Sequence, residues 1–159
     1  MSGIYIHIPF CKKICYYCDF YFSLNLSNKA AFVEALLLEI EDRKTYLNHQ
    51  KIKTVYFGGG TPTVLTINEI KLIFETLQKY HDLSEVTEIT LEANPDDLTV
   101  EYLEALKQTP INRLSIGIQS FFDDDLRTMN RRHLAYDAEL CVKNAQKLGF
   151  NNITIDLIY

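Results

Sequence analysis

The sequence predicts an α/β fold built on parallel strands. Short apolar, β-rich runs alternate with helical stretches along the chain, which is the pattern of successive βα units. Polar, chemistry-bearing residues recur at or just beyond the ends of those runs. Together these features describe a (β/α) TIM-like barrel, whose chemistry collects at the C-terminal ends of its strands. Five βα steps are too few to close eight strands, and the chain stops on the apolar run Asp156-Leu157-Ile158-Tyr159. The expectation is a partial barrel truncated after about the fifth strand, a fragment of a longer protein.

The first strand, Gly3–Ile8, alternates cleanly. Ile4, Ile6 and Ile8 point one way and pack under helices, leaving Tyr5 and His7 on the inner face. Ser27 suits an N-cap for a first helix over Asn28–Leu47. The second strand, Thr54–Phe57, runs into Gly58-Gly59-Gly60-Thr61-Pro62, and Thr66 with Glu69 forms a capping box for a helix over Ile67–Tyr80. The third strand, Glu88–Glu92, ends on a carboxylate; Asn94-Pro95 and Thr109-Pro110 punctuate the loops around a helix at Val100–Lys107. A fourth strand, Arg113–Ile118, precedes Gln119. Helices then follow at Asp123–Met129 and Leu134–Leu148, and the last strand is Ile153–Ile158.

Composition narrows the function classes. Hydrophobic residues at 47% and charged residues at 23% are ordinary for a globular domain, and 159 residues suffice for a proper core. The net charge of −5 argues against a general nucleic-acid or anionic-membrane surface. No apolar run approaches the roughly 20 residues of a membrane span. MSGIYIHIPF lacks the basic start and cleavage site of a signal peptide, and the four cysteines form no even disulfide ladder. The expected compartment is the cytoplasm.

The cysteines are the sharpest signal. Cys11, Cys15 and Cys18 form C-x3-C-x2-C in IHIPFCKKICYYCDF, directly after the first strand. Three thiolates can hold three irons of a [4Fe–4S] cube and leave the fourth iron open, whereas an electron-transfer ferredoxin closes all four positions with cysteine. The competing reading is a zinc site with His7 as fourth ligand. Structural zinc, however, draws paired ligands from two separate segments, and here all three cysteines share one loop. Tyr16 and Tyr17, between the cysteines, are placed to screen a cluster from water. Cys141 lies on the helical stripe Leu134, Ala138, Cys141, Ala145, Leu148, and reads as a core residue.

Gly58–Pro62 is either a ligand cradle, where backbone approaches a bound molecule, or a plain βα turn; without GK[ST] it is not a P-loop. Glu92, Gln119, Arg131 and Asp156 are each explicable as solvated or capping groups. Around one pocket they suit a zwitterionic ligand with a ribose, since a guanidinium binds a carboxylate, and a carboxylate binds an ammonium or ribose hydroxyls.

C-x3-C-x2-C followed by GGGTP resembles the radical S-adenosylmethionine (SAM) superfamily. More narrowly, YIHIPFCKKICYYCDF, YFGGGTPT, LEANP, RLSIGIQSF and NITIDLIY are similar to the oxygen-independent coproporphyrinogen III oxidase group and its haem-chaperone relatives. The resemblance implies that residues 1–159 are the N-terminal portion of a radical SAM barrel, with the rest of the barrel and a C-terminal domain absent. It implies a [4Fe–4S] cluster on Cys11, Cys15 and Cys18, and SAM on the open iron, cleaved on reduction to a 5′-deoxyadenosyl radical. Carried over by position, Tyr5 lies beside the SAM methionine, the Tyr17 backbone meets the adenine, and Gly59, Gly60 and Thr61 form the cradle. Glu92, Gln119, Arg131 and Asp156 supply the remaining SAM contacts.

The oxidases carry a further cysteine two residues after the third, where this chain has Phe20. The CDF ending resembles the haem-chaperone branch. The expected partners are therefore SAM, haem or a porphyrin, an electron donor, and haem-accepting proteins, with haem itself a ligand of the full-length protein. The alternative functions are coproporphyrinogen III oxidation, in which propionates become vinyl groups, and a non-catalytic zinc module.

Overall fold

The computed structural model describes residues 2–48 and 50–159. The five strands form one parallel sheet in sequential order: β1 (Ser2–Ile8), β2 (Ile52–Gly59), β3 (Glu88–Ala93), β4 (Arg113–Gln119) and β5 (Asn152–Leu157). Parallel neighbours need long crossovers. These carry α1 (Lys29–Asp42), α2 (Ile67–Tyr80), α3 (Val100–Leu106), α4 (Asp123–Thr128) and α5 (Ala135–Lys147). The α/β class with parallel strands is as the sequence indicates.

Alternation decides the two faces of the sheet. Ile6, Ile8, Val55, Phe57, Leu91, Leu114, Ile116 and Ile118 are buried with Ile70, Ile73 and Leu77 of α2, Leu103 and Leu106 of α3, and Ala138 and Ala145 of α5. Cys141 belongs to this core: it is 3% exposed, its thiol donates to the Ala138 carbonyl at 3.2 Å, and burial pushes it up to about 11. The opposite face is polar. Arg113 spans it, donating to Thr90 Oγ1 at 3.1 Å and to Thr154 Oγ1 at 2.5 Å, so one side chain on β4 fastens both neighbouring strands. β5 is the least covered strand, with Ile155 and Leu157 exposed.

Local chemistry explains where elements begin and end. Thr66 Oγ1 accepts from the Glu69 amide and Glu69 accepts from the Thr66 amide, the expected capping box of α2. Ser27, by contrast, caps nothing. Asn25 Oδ1 accepts from the Ser27 amide and hydroxyl and caps a short 3-10 turn, Leu26–Asn28, which precedes α1. That helix stops at Asp42 rather than Leu47, because the chain breaks into successive turns that end with Asn48 in the left-handed region. β2 runs through Gly59, past the expected Phe57, because its ladder with β1 continues to the Ile8–Gly59 pair. Prolines at the first position set two further 3-10 turns, Pro62–Val64 and Pro95–Asp97.

Among the described residues no helix is long and apolar enough to cross a membrane. His133, 1% exposed, hydrogen-bonds the Ile118 carbonyl through Nε2 at 3.0 Å, and burial, with the Arg131 charge second, lowers its pKa.

Two outcomes follow. Thr66→Ala removes half of the α2 capping box and is expected to lower unfolding stability by about 1 kcal/mol in urea titrations. The lowered His133 value means that the unfolded chain takes up the proton first. Stability should therefore be complete above the ordinary histidine pKa of about 6.5 and fall as the pH drops below it. His133→Gln should flatten that dependence in thermal melts at graded pH.

Candidate functional site

The C-terminal ends of the strands open into one cavity of about 190 Å³. Cys11, Cys15, Tyr17 and Cys18 line it from the loop after β1; Gly59, Gly60 and Thr61 from the end of β2; Glu92 from β3; Gln119 from β4; Arg131 from the segment after α4; and Asp156 from β5. Eleven of the twelve residues singled out in the sequence thus share one cavity. Tyr5 is the exception. Its ring lies on the polar face of the sheet: the hydroxyl meets His7 Nδ1 at 3.0 Å, and the ring is 6.0 Å from that of Tyr56. A Cβ on Gly58 would meet both the Tyr5 ring at 2.8 Å and Glu92 Oε1 at 3.1 Å, while Tyr5 also lines a larger cavity of about 440 Å³ between β1 and α1. That larger space holds no cysteine and none of the cavity's carboxylates. His7 lines that larger space too, and its ring faces Gly59, where a Cβ would fall 2.7 Å from it.

The glycine run has separate reasons at separate positions. Gly59 has φ +111°, a value that side chains rarely adopt, and its amide donates to Glu92 Oε2 at 3.0 Å. Gly60 lies where the two loops touch: its amide donates to the Ile8 carbonyl at 2.9 Å, and a Cβ there would fall 2.7 Å from the Phe10 carbonyl oxygen and 3.0 Å from Cys11 Sγ. The run therefore admits the cysteine loop, which a plain turn does not require.

That loop is tied on every side. Cys11 N donates to Ser23 O at 3.0 Å, Tyr16 N to Met129 O at 3.2 Å, and Asn130 Nδ2 to Ile14 O at 2.7 Å. Lys12 reaches the Asp97 carboxylate at 2.5 Å; Asp97 is buried and also accepts from Thr63 at 2.9 Å. Tyr16 is 75% exposed, so it does not screen the cavity, and only Tyr17 of the pair lines it.

Inside, the polar groups are held before any ligand arrives. Glu92 receives the Tyr56 hydroxyl on Oε1 at 2.7 Å and the Gly59 amide on Oε2; burial, then the bond to Glu92, pushes the Tyr56 phenol up to about 12. Arg131 donates through Nη1 to Cys15 Sγ at 3.4 Å and Tyr17 Oη at 3.2 Å, and through Nη2 to Asn94 Oδ1 at 2.6 Å and Gly117 O at 2.5 Å. Its Nε is buried without a partner. Thr61 Oγ1 donates to Cys11 Sγ at 3.4 Å. Burial raises the Cys11 thiol, the Thr61 bond opposes the shift, and Cys15 and Cys18 add to it. Gln119 takes φ +71°, strain of the kind that gathers at functional sites.

Sequence reasoning missed Asn94, Asp97 and Gly117. Asn94 counted only as loop punctuation, although it lies two residues beyond Glu92 at the end of a strand. A Cβ on Gly117 would fall 2.9 Å from Gln119 Nε2, so that glycine makes room for the amide.

The family model described as the Radical SAM superfamily matches residues 5–159. The chain belongs to the radical SAM superfamily. It is similar to Heme chaperone HemW of Lactococcus lactis subsp. lactis, 39% identical over 159 residues, covering 99% of this chain and 41% of that protein. The HemW of Bacillus subtilis is 38% identical over 162 residues, covering 100% and 42%. Among solved structures, the radical SAM enzyme coproporphyrinogen III oxidase (HemN) from Escherichia coli matches with a TM-score of 0.88 at 30% identity, over 99% of this chain and 37% of that one. The chain thus spans about two fifths of the length of the relatives it matches.

The superfamily implies a [4Fe–4S] cluster and SAM, and the cavity suits both. Among the described residues no three His, Cys, Asp or Glu side chains are arranged around a single metal ion. Cys11, Cys15 and Cys18 line one cavity, and three cysteine thiolates are the donor set of a cube with one iron left open. The orphaned Arg131 Nε and the fixed Glu92 suit a ligand with carboxylate, ammonium and hydroxyl groups.

Gly60→Ala is expected to push the cysteine loop off the end of β2. In hydrogen exchange the amides of residues 11–23 should exchange roughly tenfold faster, equivalent to about 1.4 kcal/mol of lost local protection.

Proposed function

We propose that Cys11, Cys15 and Cys18 hold a [4Fe–4S] cluster, and that SAM binds its open iron as part of a haem-chaperone-like protein that passes haem to partner proteins. One observation carries the cofactor reading: three thiols and a preset Arg–carboxylate–amide group line the same cavity at the C-terminal rim of a parallel sheet. When bound, the cluster supplies an open coordination position and an electron for SAM cleavage, delivered by an external one-electron donor.

The chain's own residues do the rest. Arg131, already fixed by Asn94 and Gly117, receives the methionyl carboxylate. Glu92, held through both oxygens by Tyr56 and Gly59, stays oriented for an ammonium or hydroxyl donor and needs no reorganisation when the ligand enters. Gln119 and Asp156 face the ribose, Gly59–Thr61 bring backbone against the ligand, and the Tyr17 main chain meets the adenine. Tyr5, one strand away, closes the methionine end.

The chaperone branch is supported by Phe20, which lies on the cavity wall where the oxidases resembling this chain carry a further cysteine. The names of the HemW relatives support it too. Coproporphyrinogen III oxidation is the second reading, favoured by the backbone match to HemN. Haem, its acceptors and a cytoplasmic location follow from the first reading.

Metal analysis after anaerobic reconstitution should find iron and sulfide in equal amounts in the wild type and in Cys141→Ala, and almost none in Cys15→Ala. Zinc without sulfide would end the iron–sulfur reading. Anaerobic incubation of the full-length protein with coproporphyrinogen III should yield no vinyl product, and sustained turnover would move the assignment to the oxidase branch.

A further inference from the structure

Asn94 precedes the Pro95–Asp97 turn at its N-cap position, yet its side chain caps nothing there. Asparagine at such a position ordinarily accepts from a following backbone amide. Here the amide group reaches across the cavity instead. Oδ1 accepts from Arg131 Nη2 at 2.6 Å, and Nδ2 donates to Thr61 Oγ1 at 3.2 Å. Both ends of the group are engaged, so its orientation is fixed: carbonyl to the cation, amide to the hydroxyl.

The two partners continue to the thiols. Thr61 donates its hydroxyl to Cys11 Sγ and Arg131 donates Nη1 to Cys15 Sγ, each at 3.4 Å. An unbroken chain therefore runs from Cys11 through Thr61, Asn94 and Arg131 to Cys15. Gly117 borders it: a Cβ there would fall in ordinary contact, 3.5 Å from Arg131 Nη2 and 3.7 Å from Asn94 Oδ1.

We propose that Asn94 is a positioning residue that aims the Thr61 hydroxyl and the Arg131 guanidinium at Cys11 and Cys15, and so raises the reduction potential of the cluster those thiols hold. The proposal rests on the cluster reading of the cavity. Taking one electron from an external donor makes a cluster more negative. Hydrogen bonds to its cysteine sulfurs and a nearby cation stabilise that reduced state more than the oxidised one. Asn94 touches neither sulfur and acts only through the groups it orients.

Asn94→Ala removes both arms. Asn94→Asp keeps an oxygen for Arg131 but replaces the amide donor with an acceptor, which draws the Thr61 hydroxyl away from Cys11. In the full-length protein, reconstituted anaerobically, both variants should load iron and sulfide as the wild type does and melt within wild-type error as apoproteins. In redox titrations followed by electron paramagnetic resonance, both should show a more negative midpoint potential. Thr61→Val should lower the potential in the wild type and add almost nothing in the Asn94→Asp background. Wild-type potentials in both variants would overturn the role of Asn94 while leaving the cluster reading intact. So would a collapse of apoprotein melting in both, which marks a purely structural residue. A wild-type protein that loads no cluster overturns the cluster reading, and the proposal falls with it.

Discussion

The contact between the end of β2 and the loop after β1 sets the rest of the structure. The parallel ladder between these strands runs to the Ile8–Gly59 pair, and the Gly60 amide then closes on the Ile8 carbonyl. At that point the backbone of Phe10 and the sulfur of Cys11 lie so near Gly60 that no side chain fits between them. Backbone packing at one spot thus brings the cysteines to the rim where β3, β4 and β5 deliver Glu92, Gln119 and Asp156.

Electrostatic order is built on that contact. Arg131 is shared among a thiol, a phenol, an amide oxygen and a backbone carbonyl, and Glu92 between a phenol and a backbone amide. Neither group has to search for its orientation. The Lys12–Asp97 pair anchors the loop from below with a carboxylate that is almost fully buried, and Asn130 and Met129 anchor it from the side. The loop carries little regular secondary structure, yet its position is over-determined. This is how irregular backbone on a rigid scaffold comes to hold function.

The fold was legible because period-two alternation and capping chemistry are local. Ile6 and Ile8 are buried as their spacing implies, and Thr66 and Glu69 cap each other as written. The cavity was legible because its residues fall at strand ends, where a parallel sheet collects them. What escaped reading depends on contacts distant in sequence. Ser27 lost the cap to Asn25 because a 3-10 turn precedes α1, and one added turn shifts the capping position. Tyr16 and Tyr17 look alike in sequence; only the reach of Arg131, more than a hundred residues away, draws Tyr17 inward. Asn94 read as loop punctuation and Asp97 carried no signal, because their partners, Arg131 and Lys12, lie on segments that no spacing rule joins to theirs.

The central claim is that the three thiols leave one iron for SAM in this cavity. Its most direct test is pulsed electron paramagnetic resonance on the reduced, reconstituted protein with SAM labelled with ¹⁵N at the amino group and ¹⁷O at the carboxylate. The expected result is hyperfine coupling from both labels to the cluster, lost when Arg131 is replaced by Met. A reduced cluster whose spectrum is unchanged by SAM, with no coupling from either label, would contradict the account.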